Sequence, residues 1–229
     1  MSVVLGRQKG PEGPRVTARP LPSPTKLTYD DFLLFPDDGN RHELIDGEHY
    51  VTPSPNLRHQ DIFARLHLII GAWLEANPRG RLFYAPLDTI LSRFDVVEPD
   101  LLYVSNERAT EILGQFVTGA PDLVIEIASP GTRTRDETIK RRLYERSGVR
   151  EYWVVDPELD AIRVHRRSGG RFNRLVELSA DAGDILRTDL LAGLDVHLTR
   201  VFLPSGRPEC LSRTRASRRS AAKRRKSRP

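Results

Sequence analysis

Apolar residues along this chain switch between two spacings, and the switches mark its elements. Ile62, Phe63, Leu66, Ile69, Ile70, Trp73 and Leu74 recur at three- and four-residue steps. That period predicts an amphipathic helix, opened after Pro55 and closed before Pro78. Upstream, Thr28 is a helix N-cap followed by Asp30 and Asp31 in the first turn, with Phe32 and Phe35 as a short apolar face. Residues 42–46 and 48–52 flank Asp46-Gly47 and read as a tight hairpin. Beyond the long helix, residues 82–91 and 100–104 read as strands, with a short helix around 109–116.

The run 123–128 is almost wholly apolar, as expected of a central strand covered on both faces. Thr134 and Glu137 have capping-box spacing and predict a helix that runs to about Ser147 and stops at Gly148. On that helix Ile139 and Leu143 are expected to pack on the sheet. Residues 152–155 form another buried strand, and 162–166 and 172–178 make a second hairpin through Gly169-Gly170. The order is helix, hairpin, helix, strands, helix, strand, hairpin. It predicts an α/β protein of the α+β kind, a mixed sheet with helices packed on it, rather than a regular βαβ winding.

Charge divides the 229 residues into three parts. Residues 1–26 hold five Lys/Arg and one acid, and residues 205–229 hold ten and one. Both ends are rich in Pro, Gly, Ser or basic residues without apolar periodicity, and are expected to be disordered. The domain between them, 27–204, has 21 basic and 29 acidic residues. An acidic body suits a carboxylate site awaiting a divalent cation better than passive binding to a phosphate backbone, whereas the basic tail suits nucleic acid. No apolar run approaches the roughly 20 residues of a membrane span. Cys210 is the only cysteine, so no internal disulfide can form. A cytoplasmic setting is the expectation.

Three side chains stand out within this pattern. Glu126 lies inside the apolar strand on the face of Val124 and Ala128, where an ionised carboxylate is costly unless a cation meets it. Asp100 follows Pro99 at the entry of another apolar strand, as a turn Asp or as a second acid. Two acids at strand ends of one sheet can converge on a hard cation such as Mg²⁺, which takes one or two carboxylates plus waters and substrate phosphate. Lys140 shares a helix face with Asp136 and Tyr144 and either forms a surface bridge or reaches back to the strand of Glu126. His59, near the start of the long helix, reads as a solvated histidine.

Taken in order, these residues resemble a known family. The carriers are His42-Glu43-Leu44-Ile45-Asp46-Gly47, Pro99-Asp100, Pro121-Asp122-Leu123-Val124-Ile125-Glu126-Ile127-Ala128-Ser129-Pro130, Asp136 with Lys140, and Gly148-Val149 with Glu151-Tyr152-Trp153-Val154-Val155-Asp156-Pro157. Together, over roughly residues 27–202, they are similar to the Uma family of restriction endonucleases within the PD-(D/E)XK superfamily. The resemblance implies a restriction-endonuclease-like core. It implies Mg²⁺, with Mn²⁺ as a substitute, on Asp100, Glu126 and the Ile127 carbonyl, and it implies that Glu43 assists. The chain departs from the superfamily pattern at Ala128, where the lysine usually stands, and the family reading moves that role to Lys140. The implied activity is metal-dependent hydrolysis of DNA phosphodiesters. A catalytically silent DNA-binding or interaction module is the alternative. The apolar side of the 172–178 hairpin offers a surface for a homodimer.

Overall fold

The computed structural model describes residues 25–203. Of the basic ends assigned from the sequence, residues 1–24 and 205–229 lie outside these residues, and Lys26 pairs with Asp46 of the first hairpin turn. In chain order the elements are α1 (Tyr29–Phe32), β1 (Arg41–Ile45), β2 (Glu48–Thr52), α2 (Leu57–Ala76), β3 (Gly80–Tyr84), β4 (Thr89–Ser92), β5 (Asp95–Val97), β6 (Leu101–Ser105) and α3 (Asn106–Ile112). There follow β7 (Val117–Thr118), β8 (Leu123–Ile127), α4 (Arg133–Arg135), a π-helical turn (Asp136–Lys140) and α5 (Arg141–Ser147). The chain closes with β9 (Glu151–Asp156), β10 (Ala161–Ser168), β11 (Arg171–Ser179), β12 (Ile185–Leu186), a 3₁₀ turn (Asp189–Leu191), β13 (Val196–His197) and α6 (Leu198–Val201).

The central sheet has six strands in the order β11-β10-β9-β8-β6-β3. It is mixed: β8 and β9 run parallel, and the other pairs are antiparallel. The parallel pair needs a crossover, and the segment α4 to α5 supplies it. Alternation along β8 sends its side chains to two cores. Leu123, Ile125 and Ile127 pack with Ile62, Leu66 and Ile70 of α2 and with Leu186, Val196 and Leu198 near the C-terminal end. Val124 and Ala128 pack on the other face with Leu143 and Tyr144 of α5 and with Ile45 and Val97. Among the described residues no helix is long and apolar enough to cross a membrane.

Several sequence expectations are corrected. The run 82–91 is not one strand. It divides into β3 of the central sheet and β4 of a second, five-stranded sheet, β2-β1-β5-β4-β7. Pro86 lies at the break and has no N–H to offer a ladder. The N-terminal hairpin belongs to this second sheet, with Asp46 and Gly47 both at positive φ, as a two-residue turn of this kind requires. The helix around 109–116 starts earlier, at Asn106, and ends at Ile112. The capping box at Thr134 and Glu137 does not form. The helix begins at Arg133 after Thr132, whose Oγ1 accepts from the Ser129 N–H at 3.0 Å, and Glu137 pairs with Arg163.

Candidate active site

Glu126 is the fourth residue of β8 and shares a face with Val124 and Ala128, as alternation dictates. Leu101 of β6 pairs with Ile125 of β8. Carried one residue further, the antiparallel register sets Asp100 opposite Glu126, and such cross-strand neighbours have Cβ atoms about 4.5–5.5 Å apart. Asp100, one residue before β6, and Glu126 of β8 therefore lie side by side, and both are buried. Glu43 reaches the same region from β1 of the second sheet.

Lys140 comes from the crossover. Its ammonium lies 2.8 Å from Glu43 Oε1, 2.9 Å from Glu126 Oε1 and 4.0 Å from Asp136 Oδ1. Asp136 and Lys140 lie in the π-helical turn and are buried, and Leu143 and Tyr144 of the next turn, at i+7 and i+8 from Asp136, continue the same inward face. Ile139, expected against the sheet, is instead 36% exposed. The polar stripe of this helix is thus the stripe that faces the protein interior. Tyr144 completes it by donating its hydroxyl to Glu126 Oε1 at 2.6 Å. Lys140 and Tyr144 both end on Oε1, and Oε2 takes no hydrogen bond from any described residue.

Asp100 has its own partners. Arg41 Nη1 donates to Oδ1 at 2.9 Å, His59 Nε2 lies 3.0 Å from Oδ2, and the Ile127 N–H donates to Oδ2 at 2.8 Å. His59, read from the sequence as solvated, is buried, and its Nδ1 has no partner among the described residues. Ile127, expected to contribute its carbonyl, touches Asp100 through its N–H. Glu98 is a further acid that the sequence reading passed over. Its backbone N–H donates to Glu43 Oε1 at 3.2 Å, and its carboxylate Oε2 is buried without a partner. Arg135 lies 3.8 Å from Glu43 Oε2.

Burial and crowding divide the acids electrostatically. Burial, with Asp100, Asp136 and Glu43 nearby, lifts Glu126 to about 8 against the opposing pull of Lys140. Burial also lifts Glu98, to about 7, helped by Asp88. Asp100 goes the other way. Burial would raise it, but His59, Arg41 and the Ile127 N–H hold it at about 2. Burial opposes the charge on Lys140, and Glu126, Glu43 and Asp136 outweigh it, so the ammonium is held firmly protonated. With one ammonium among several buried carboxyls, the cluster keeps a proton, and Glu126 carries it.

A cleft of about 550 Å³ opens beside the cluster, walled by Arg41, His59, Glu98 and Asp100 together with Thr52 and Tyr84. Glu126 and Lys140 do not line it. Access from solvent to the acid pair runs past Asp100 and its partner Arg41.

A mixed sheet flanked by helices is a fold of the restriction-endonuclease type, and here it brings Asp100, Glu126 and Lys140 together. Residues 29–199 match the family model Uma2, described as a putative restriction endonuclease, and the chain belongs to that family. Among solved structures it is similar to a protein described as a putative nuclease belonging to DUF820 from Anabaena variabilis. The TM-score is 0.66 and the identity 20%, over 77% of this chain and 97% of that one, a likeness of fold. The type IIG restriction endonuclease BpuSI overlaps at a TM-score of 0.31 and 13% identity, over 52% of this chain and 13% of that one, which carries no argument. None of the curated proteins matches.

Proposed function

We propose that the chain is a Mg²⁺-dependent endonuclease that hydrolyses phosphodiester bonds of DNA. The observation that carries this reading is the buried Lys140 ammonium between Glu126 and Glu43, beside the register-opposed pair of Asp100 and Glu126. Membership of a family described as restriction endonucleases supports it.

The donor set fits a hard divalent cation. Glu43, Glu98, Asp100, Glu126 and Asp136 bring more carboxyl groups than the cations Lys140, Arg41 and Arg135 can neutralise. Among the described residues no three His, Cys, Asp or Glu side chains form a ready-made metal cage. Magnesium does not need one, since waters and substrate phosphate commonly fill most of its shell. Asp100 and Glu126 would hold the ion, Glu126 through its unengaged Oε2. When bound, it would polarise a phosphoryl oxygen and acidify a water.

The chain's own residues do the rest. Tyr144 and Lys140 pin Glu126 Oε1, which fixes the direction of Oε2. Lys140, whose charge Glu126, Glu43 and Asp136 favour, would orient a water or stabilise charge that develops on the phosphate. Glu43 acts through Lys140 by holding its ammonium at 2.8 Å. The basic residues of 205–229 would add affinity for nucleic acid without sequence readout.

One observation favours the catalytically silent reading. Asp100 is already engaged by the Arg41 guanidinium and by His59, so an ion must displace one of them. Incubation with supercoiled plasmid and Mg²⁺ or Mn²⁺ separates the two. Nicking or linearisation that EDTA stops and Asp100→Ala abolishes supports the nuclease. DNA retention without cleavage by the wild-type protein supports the silent module.

A further inference from the structure

Arg41 stands where a cation bound to the acid pair would have to arrive. It begins β1, lines the cleft, and donates Nη1 to Asp100 Oδ1 at 2.9 Å and, weakly, to the Glu98 carbonyl at 3.4 Å. Its guanidinium also feels Glu126 and Glu43. The residues behind it, Glu126 and Lys140, do not reach the cleft. A guanidinium is a permanent cation with a planar fork that matches both carboxylate and phosphate. Glu98 Oε2, buried without a partner among the described residues, belongs to a residue in the wall of the same cleft and leaves a carboxyl oxygen to which Arg41 can turn.

We infer that Arg41 is an internal stand-in for the divalent cation, parked on Asp100 in the metal-free protein and displaced into the cleft when an ion takes that carboxylate. This rests on the proposed metal-dependent nuclease reading and goes beyond it. Arg41 and the ion cannot share Asp100 at close range, because like charges there repel, so each weakens the other's hold. Once displaced, Arg41 presents its fork to the cleft that a phosphodiester would enter. The same side chain therefore lowers metal affinity and supplies the cation that meets the substrate. A free carboxylate pair would be open to any divalent ion, whereas a guarded one fills best when substrate phosphate helps to draw Arg41 away.

The test is Mn²⁺ binding without DNA, followed by electron paramagnetic resonance or titration calorimetry on the full chain. Wild type, Arg41→Gln and Arg41→Lys are compared, with folding checked by circular dichroism. The expected result is that Arg41→Gln binds Mn²⁺ at least about tenfold more tightly than wild type, with Arg41→Lys between them, since Lys keeps the charge and loses the fork. In plasmid cleavage at saturating Mn²⁺, Arg41→Gln is expected to be slower despite its higher occupancy. A role that is merely structural would leave metal affinity unchanged or weaken it. Equal or weaker Mn²⁺ binding by Arg41→Gln, with wild-type binding intact, overturns this inference and leaves the nuclease reading standing. If Arg41→Gln does not fold, Arg41→Lys decides alone, and binding no tighter than wild type overturns it. Absence of Mn²⁺ binding by every folded form, together with absence of cleavage, overturns both.

Discussion

Replacing Lys140 with Met removes one buried ammonium and leaves the carboxyls that surrounded it. Lys140 and its partners Glu43 and Glu126 are each 3% exposed or less. At 2.8 and 2.9 Å, and an effective dielectric of about 20, each pair is worth roughly 6 kcal/mol of gross attraction when its carboxyl is ionised. Desolvation of the three groups offsets much of it. Breaking a buried pair from one side typically costs about 3–5 kcal/mol, because the remaining charge is stranded. Protonation of Glu126, already favoured by its pKa of about 8, limits the damage at neutral pH, so the lower half of that range is expected. For a domain of this size the melting temperature should fall by roughly 2–4 °C per kcal/mol. The assay is urea denaturation at pH 7 in EDTA for wild type, Lys140→Met, Glu126→Gln and the double variant. The double variant should recover a good part of the loss, because the amide no longer needs a counterion. A Lys140→Met protein within about 0.5 kcal/mol of wild type, the ordinary range for a surface site, would refute the buried placement of this side chain.

Further outcomes follow from the same geometry. Glu126 folds with its pKa raised from the usual carboxylate value to about 8. The native state therefore holds a proton that the unfolded chain releases, and stability should fall as pH rises from about 4.5 through 8. This decline should be shallower in Glu126→Gln, and Mg²⁺ should reverse it, by thermal melts in EDTA and in Mg²⁺. Asp100 has the opposite sign: held at about 2, it contributes stability above pH 4 that is lost as pH falls through 2. Tyr144→Phe removes one bond to Glu126 Oε1 and, with Glu126 protonated at pH 7, should cost about 0.5–1.5 kcal/mol, as hydrogen bonds between neutral groups do, in denaturant titration. Gly80→Ala should destabilise by about 1–3 kcal/mol, since overpacking forces its neighbours to shift. The added methyl would meet the Val104 carbonyl and the Tyr103 ring.

Much of the fold was legible because its elements announce themselves locally. The Asp46-Gly47 and Gly169-Gly170 turns, the spacing of α2 and the apolar run of β8 each carry a signal within a dozen residues. The second sheet was not legible, because β1 pairs with β5 and β4 with β7 across long separations that no short window contains. The site divides in the same way. Glu126 declares itself as a charge inside an apolar strand. The shared face of Asp136, Lys140 and Tyr144 was legible from their spacing, but that this face and not that of Ile139 turns inward depends on tertiary packing. His59, Arg41 and Glu98 look like ordinary polar residues in sequence. Only the packing of α2 and β1 beside Asp100 gives them partners or strands their polar atoms. The spacing of His59 did hold a signal: it is three residues before Ile62 and continues the buried stripe of α2.

We propose that Lys140, delivered from the crossover helix to Glu126, takes the place of the lysine absent at position 128. The most direct measurement is the single-turnover rate of DNA cleavage at saturating Mg²⁺ for wild type and for folded Lys140→Met. Loss of one charged group aimed at the developing charge should slow cleavage by roughly 10²–10³-fold, with metal binding retained. A Lys140→Met protein that cleaves within about threefold of wild type would contradict the claim.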